Sequence, residues 1–145
     1  MWVSAKTEYA LRVAHHLAAN YGRGRTTLRE IAECQRIPLK FLEQVLMDLR
    51  RAGVVLSARG SRGGYILAAP PREVTVGQVI RATEGSLDPV PCLGTPAPLG
   101  CHRPSPCDFG WLWGEVKTRV EGLLDNVNFE TVCERTQRFP SELAG

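Results

Sequence analysis

Cys92, Cys101 and Cys107 fall in one loop-like stretch, and three thiolates gathered there can converge on a metal ion or an iron–sulfur centre. The segment from Ser86 to Pro106 carries Pro89, Pro91, Pro96, Pro98, Pro104 and Pro106 together with Gly94 and Gly100, which excludes a regular element. His102 adjoins Cys101, and with it the three cysteines also form a tolerable zinc set by ligand type. A disulfide framework fits less well. The five cysteines are an odd number, and the chain is expected to stay in the cytoplasm, where thiols remain reduced. Cys34 is expected to be a small core residue on a short helix, and Cys133 stands apart from any motif. No C-x-x-C pair, nucleotide-binding glycine fingerprint or Ser/His/Asp arrangement accompanies the thiols. The chain is therefore expected not to be an enzyme, with a redox or electron-transfer protein as the remote alternative.

The elements that must position these thiols can be read from periodicity. Ser4 to about Asn20 has Ala10, Val13, Ala14, Leu17 and Ala18 at helical spacing. Thr27 to Glu30 is a capping-box pattern that opens a short helix with Leu28, Ile31 and Ala32 inward. Pro38 interrupts it and suits the start of the next helix, which runs to about Arg51 with Leu39, Leu42, Val45, Leu46 and Leu49 as its buried stripe. From Val54 to Leu67, two β-prone runs flank an Arg/Gly/Ser tip, the pattern of a β-hairpin. Two helices joined by a tight turn and followed by a basic hairpin have the order of a winged helix-turn-helix. Thr75 and Gln78 form a second capping-box pattern for a helix that ends at Gly85. Asp108 could cap the last long helix, whose apolar positions Phe109, Leu112, Val116, Val120, Leu123, Leu124 and Val127 follow a near-heptad rhythm suited to a dimer seam. A short helix around Phe129 to Arg135 follows.

The expected fold is thus mainly α with a small β-wing. Residues 1–85 would form a winged helix-turn-helix DNA-binding domain and residues 86–107 a cysteine-bearing sensor loop. Residues 108–139 would hold a dimerisation helix and a terminal helix, and residues 140–145 a loose tail.

In such a fold the second helix of the pair presents its first residues to base edges in the major groove. Here Glu43 can accept from cytosine, Gln44 can bond adenine and Lys40 can read guanine or hold phosphate. Arg59 and Arg62 on the hairpin suit the minor groove or phosphates. Thr27, Leu39, Phe41, Arg50, Ser61 and Gly63 complete the expected DNA face. With 145 residues and 43% hydrophobic content the chain can bury a core, and its net charge of +3 permits nucleic-acid binding without demonstrating it. No secretory signal or membrane-spanning run is visible, so no membrane partner is expected.

The chain resembles the Rrf2 (Rrf-two) family of bacterial winged-helix regulators, which includes the IscR, NsrR and CymR types. The likeness is carried by Ser4-Ala-Lys-Thr-Glu-Tyr-Ala-Leu-Arg12, Ile37-Pro-Leu-Lys-Phe-Leu-Glu-Gln-Val-Leu46, Leu49-Arg-Arg-Ala-Gly-Val-Val55, Arg59-Gly-Ser-Arg-Gly-Gly-Tyr65 and Val76-Gly-Gln-Val-Ile80. The cysteine trio completes it, and the match extends to about Val132. The resemblance implies a homodimeric, cytoplasmic transcription factor, expected to be a repressor, on a pseudo-palindromic operator. It also implies an iron–sulfur cluster of the 2Fe-2S or 4Fe-4S kind on the three cysteines. Two departures stand out. Eight residues separate Cys92 from Cys101 where the family has about five, and Gly110 occupies the position of the IscR-type histidine ligand. An acidic ligand from the first helix of the partner, as in the NsrR type, corresponds to Glu8. His102 is a further ligand candidate, while His15 and His16 are expected to be packing or surface residues. The alternative implied is a regulator of the same fold switched by thiol oxidation, Zn or a partner protein.

Overall fold

Side chains that accept from otherwise unpaired amides set most of the helix starts. In the computed structural model, which describes residues 3–61, 63–93 and 107–138, Ser4 opens α1 (Ala5–Ala19) by accepting from the Thr7 amide at 3.2 Å. Thr27 and Glu30 close a complete capping box at the head of α2 (Leu28–Gln35), with Thr27 N–H donating to Glu30 Oε2 at 2.7 Å. Thr75 and Gln78 do the same for α4 (Val76–Glu84), and Asn128 Oδ1 accepts from the Thr131 amide at 2.9 Å to start α6 (Phe129–Arg138). Between them lie α3 (Leu39–Arg51), the antiparallel strands β1 (Val55–Ala58) and β2 (Gly64–Leu67), and α5 (Gly110–Asn126). The fold is mainly α with a two-stranded wing, as expected.

Helix α1 is the centre of the core. Ala10, Val13, Ala14 and Leu17 are fully buried, and α2, α3, α4, α6 and β2 all pack against α1. Three alanines on its inner side (Ala10, Ala14 and Ala18) allow those neighbours to come close. Leu42, Val45, Leu46 and Leu49 supply the inner stripe of α3, and Val79 and Ile80 that of α4. Phe129, at the head of α6, is the largest fully buried side chain among the described residues.

The turn between α2 and α3 is three residues long. Arg36 adopts the left-handed conformation (φ 51°, ψ 48°), Ile37 N–H donates back to Ala32 O at 3.1 Å, and Pro38 starts α3. The wing pairs Val55 with Leu67 and Ala58 with Gly64. Its second strand is also tied to the segment before α2, because Thr26 and Tyr65 exchange backbone hydrogen bonds at 3.0 and 2.8 Å. That approach requires Gly64. A Cβ there would lie 2.6 Å from the Thr26 carbonyl oxygen, and the φ of 131° disfavours any side chain.

Several expectations are corrected. Leu39, placed in the buried stripe, is 50% exposed, because it stands at the first position of α3, outside the stripe that faces α1. Asp108 does not cap α5: Phe109 precedes the helix and no side chain caps it. Cys34 is exposed rather than buried, since Ile31 is the residue of α2 that enters the core. Helix α6 continues to Arg138, three residues beyond the expected end. Pro91–Leu93 form a single 3-10 turn inside the stretch expected to lack regular structure. The expected tail over 140–145 lies outside the described residues.

Two substitutions test this account by urea denaturation. Gly64→Ala should cost about 2 kcal/mol or more through strain and overpacking, and an unchanged midpoint would contradict the close approach at Thr26. Arg36→Gly should raise stability by up to about 1 kcal/mol by relieving the left-handed strain. A lower midpoint would show that the turn is held another way.

Candidate functional site

Lys40, Phe41, Glu43, Gln44 and Arg50 are all exposed on α3, on the side away from the core stripe, and Leu39 joins them at its start. Arg59 and Ser61 are exposed on the wing tip, where Gly63 N–H donates to Gly60 O at 2.9 Å and closes a tight turn. Arg62 lies outside the described residues. Thr27 is exposed at the head of α2, but its hydroxyl is committed to Glu30, donating to Oε2 at 2.9 Å. The Thr26–Tyr65 pairing joins the wing to the start of α2, and Val54 N–H, at the entry to β1, donates to Leu49 O of α3 at 2.9 Å, so the expected groove-reading helix and the expected minor-groove element belong to one hydrogen-bonded frame.

Both described ends of the cysteine-bearing segment adjoin α5. Cys92 and Cys107 are free and exposed, while Cys101 and His102 lie outside the described residues. Four residues before Cys92, Asp88 is paired with Lys117 of α5 at 2.6 Å. At the other end, Cys107 O accepts from the Gly110 amide at 3.1 Å as α5 begins. Helix α5 is in turn locked to α4, where Arg81 clasps Asp125 with two hydrogen bonds of 2.6 and 2.9 Å. Gly77 makes room for that carboxylate, since a Cβ there would lie 2.0 Å from Asp125 Oδ1. This packing could not be read from sequence, because Gly77 and Asp125 are far apart in the chain and neither belongs to a motif with the other.

Among the described residues no group of three or more His, Cys, Asp or Glu side chains stands ready to hold a metal ion. The donors that are placed nevertheless fit a thiophilic group: two free, solvent-facing thiols bracket the loop that carries the third. Glu8 is exposed on α1, and its carboxylate makes no hydrogen bond or ion pair among the described residues. Gly110 offers no donor. His15 and His16 are half-buried, and Gln35 Nε2 lies 3.3 Å from His16 Nδ1, so both histidines act as packing residues here. Cys133 is half-buried and burial pushes its thiol pKa up, which lowers its reactivity.

A model of the Rrf2 family, described as an iron-dependent transcriptional regulator, matches residues 3–135. The HTH-type transcriptional regulator CymR of Bacillus subtilis is 34% identical over 136 residues, covering 94% of this chain and 92% of that protein. The solved structure of CymR, the global cysteine regulator of B. subtilis, superposes with a TM-score of 0.76 at 33% identity, covering 94% of this chain and 98% of the other. The HTH-type transcriptional regulator IscR of Aliivibrio salmonicida is 36% identical over 128 residues, covering 88% of this chain and 74% of that protein.

Acid should unfold the protein in two stages, read as melting temperature against pH. Burial lowers the pKa of His15, as does the nearby His16, and burial likewise lowers that of His16, so the fold favours the neutral rings. Their contribution is present above the unfolded value of about 6.5 and is lost as pH falls through their lowered values. Asp88 is held below the usual carboxylate range by Lys117, Asp125 by Arg81, and Glu84 by the Ser4 and Thr7 hydroxyls. Their contribution is present above about pH 4 and is lost as pH falls further. Asp88→Asn should reduce the lower stage alone, by its own share, and His16→Gln the upper.

Proposed function

Because the chain belongs to the Rrf2 family of transcriptional regulators, we propose that it acts as a homodimer whose affinity for a pseudo-palindromic operator is set by an iron–sulfur cluster on Cys92, Cys101 and Cys107, completed by Glu8 of the partner subunit. The DNA reading rests on the joint exposure of Lys40, Phe41, Glu43 and Gln44 on α3 and of Arg59 and Ser61 on the wing. Glu43 and Gln44 carry the acceptor and amide that base edges demand, whereas Arg50, Arg59 and Arg62 supply phosphate or minor-groove contacts. The dimer reading rests on α5, which has no buried residue in one chain, with Trp111 74% and Leu123 65% exposed. Apolar surface of that kind along a helix calls for a second copy to cover it.

The cluster reading is carried by the free thiols of Cys92 and Cys107 at the two ends of one segment, whose entrance is tied to α5 through Asp88 and whose exit turns directly into α5. When bound, such a cluster supplies an iron open to nitric oxide, oxygen or a small thiol, particularly where the fourth ligand is a weak oxygen donor. The chain does the rest. Asp88 and Lys117 hold the loop entrance on α5, and Arg81 and Asp125 hold α5 on α4, so the loop is linked through packed helices to the DNA-facing frame.

A second reading keeps the fold and the DNA but switches by thiol oxidation, Zn or a partner protein. The exposure of Cys34 on α2 favours it, as does the likeness to a regulator described by its link to cysteine.

Anaerobic purification with iron, sulfide and zinc counts separates the two. A brown protein that loses its colour in Cys92→Ala, Cys101→Ala and Cys107→Ala supports the cluster, while a colourless protein overturns it. Arg59→Ala should weaken duplex binding and reduce the salt slope by about one. An unchanged slope would remove the wing from the DNA face.

A further inference from the structure

Helix α1 touches the DNA-facing unit at three points that share one flank. Lys6 Nζ lies 3.0 Å from Asp48 Oδ2, and the Asp48 side chain is only 12% exposed in the second half of α3. Tyr9 packs on Phe41 in the first turn of α3, with ring centroids 6.4 Å apart and planes at 51°. Arg12 lies over the Tyr9 ring, its guanidinium carbon 5.7 Å from the ring centroid, and it donates to Gln35 O, at the last residue of α2. Residues 6, 9 and 12 recur every three positions, so their side chains line one flank of the helix over about 9 Å.

The three contacts differ in chemistry and in what they hold. An ion pair between a half-exposed lysine and a largely buried aspartate grips the back of α3, an aromatic contact grips its front, and a charged hydrogen bond grips the carbonyl end of α2 just before the turn. Two separated points on α3 and one on α2 fix both the position and the tilt of the recognition helix. Phe41 has a double duty here, since the ring that Tyr9 seats is also on the expected DNA face. Glu8 stands beside this flank, next to Tyr9 and one turn before Arg12. A helix moves as a stiff rod on this scale, so a displacement of Glu8 is shared by all three contacts.

We propose that Lys6, Tyr9 and Arg12 form a positioning stripe that seats the recognition helix on α1 and carries to it any displacement imposed at Glu8. The second half of this statement rests on the reading above that Glu8 is loaded by the sensor site; the first half does not. The three are positioning residues, acting on DNA through Phe41, Asp48 and the end of α2.

Two measurements decide it, both on the full chain with an operator obtained by in vitro selection against the purified protein. In the cofactor-free protein, the ratio of random-duplex Kd to operator Kd should fall about tenfold in Tyr9→Leu, an apolar replacement that keeps bulk but loses the ring. The same ratio should stay within about twofold of the unsubstituted protein in Tyr9→Phe. Discrimination unchanged in a folded Tyr9→Leu protein overturns the seating role. In the iron-loaded protein, the ratio of loaded to iron-free operator affinity, expected to be about tenfold or more, should vanish in Tyr9→Leu at unchanged iron per chain and persist in Tyr9→Phe. Retention of that ratio in Tyr9→Leu overturns transmission through the stripe. A chain that binds no iron, or whose affinity ignores it, refutes the cluster reading and with it the transmission half, and the seating role is still decided by the first measurement.

Discussion

The burial of α1 on almost every side is the constraint on which the rest of the structure depends. Its inner positions are filled by Ala10, Val13, Ala14 and Leu17, and four other helices and a strand pack on it. Its start is fastened with equal care. Thr7, the one fully buried polar residue among the described residues, donates to Glu84 at the end of α4, and Ser4 reaches the same carboxylate through both its amide and its hydroxyl. A polar group of this kind is tolerated in a core only because its hydrogen-bonding capacity is used, and Glu84, with Thr83 close by, uses it. The α1–α4 junction is therefore fixed in register as well as buried.

From that junction the molecule extends in two directions. Towards DNA, α1 supports α2 and α3, and the wing is laced to the head of α2. Towards the thiols, α4 carries α5 through a carboxylate clasped by Arg81 over Gly77, and α5 carries the loop through Asp88 and Lys117. The two directions are built differently. The DNA side is held by apolar burial and backbone pairing, whereas the α5 side relies on half-exposed ion pairs. Such pairs contribute little net stability and are weakened by salt. In one chain α5 is therefore the more weakly held part, in keeping with a helix that a second copy completes.

Features that are local in sequence were legible before any coordinates. Thr27 with Glu30 and Thr75 with Gln78 are short patterns whose hydrogen bonds close within one turn, and both capping boxes form. The helix pair, the hairpin and the apolar stripe of α3 follow from periodicity for the same reason. Errors gathered where a position depends on remote partners. Leu39 has the right spacing for the stripe but stands at the very start of the helix, past the reach of α1. Cys34 is apolar enough for a core, yet α2 is so short that Ile31 alone turns fully inward. Asp108 has the chemistry of a cap, but the chain enters α5 through Phe109 instead. The need for glycine at 77 and the stacking of Tyr9 on Phe41 depend on residues distant in sequence, and no local pattern signals them. Of the thiol site, residue types and the proximity of the cysteines in sequence were legible; their arrangement about a common centre depends on a loop without periodicity.

The Thr26–Tyr65 pairing has a consequence for how such a regulator acquires new targets. Backbone hydrogen bonds, rather than side-chain contacts, set the distance from the wing to the head of α2, and Gly64 is the position there that must stay bare. The outward side chains of α3 other than Phe41, which packs on Tyr9, can then change while the wing keeps its place. What is read and where the protein sits become separately inheritable properties, and drift in the first need not disturb the second.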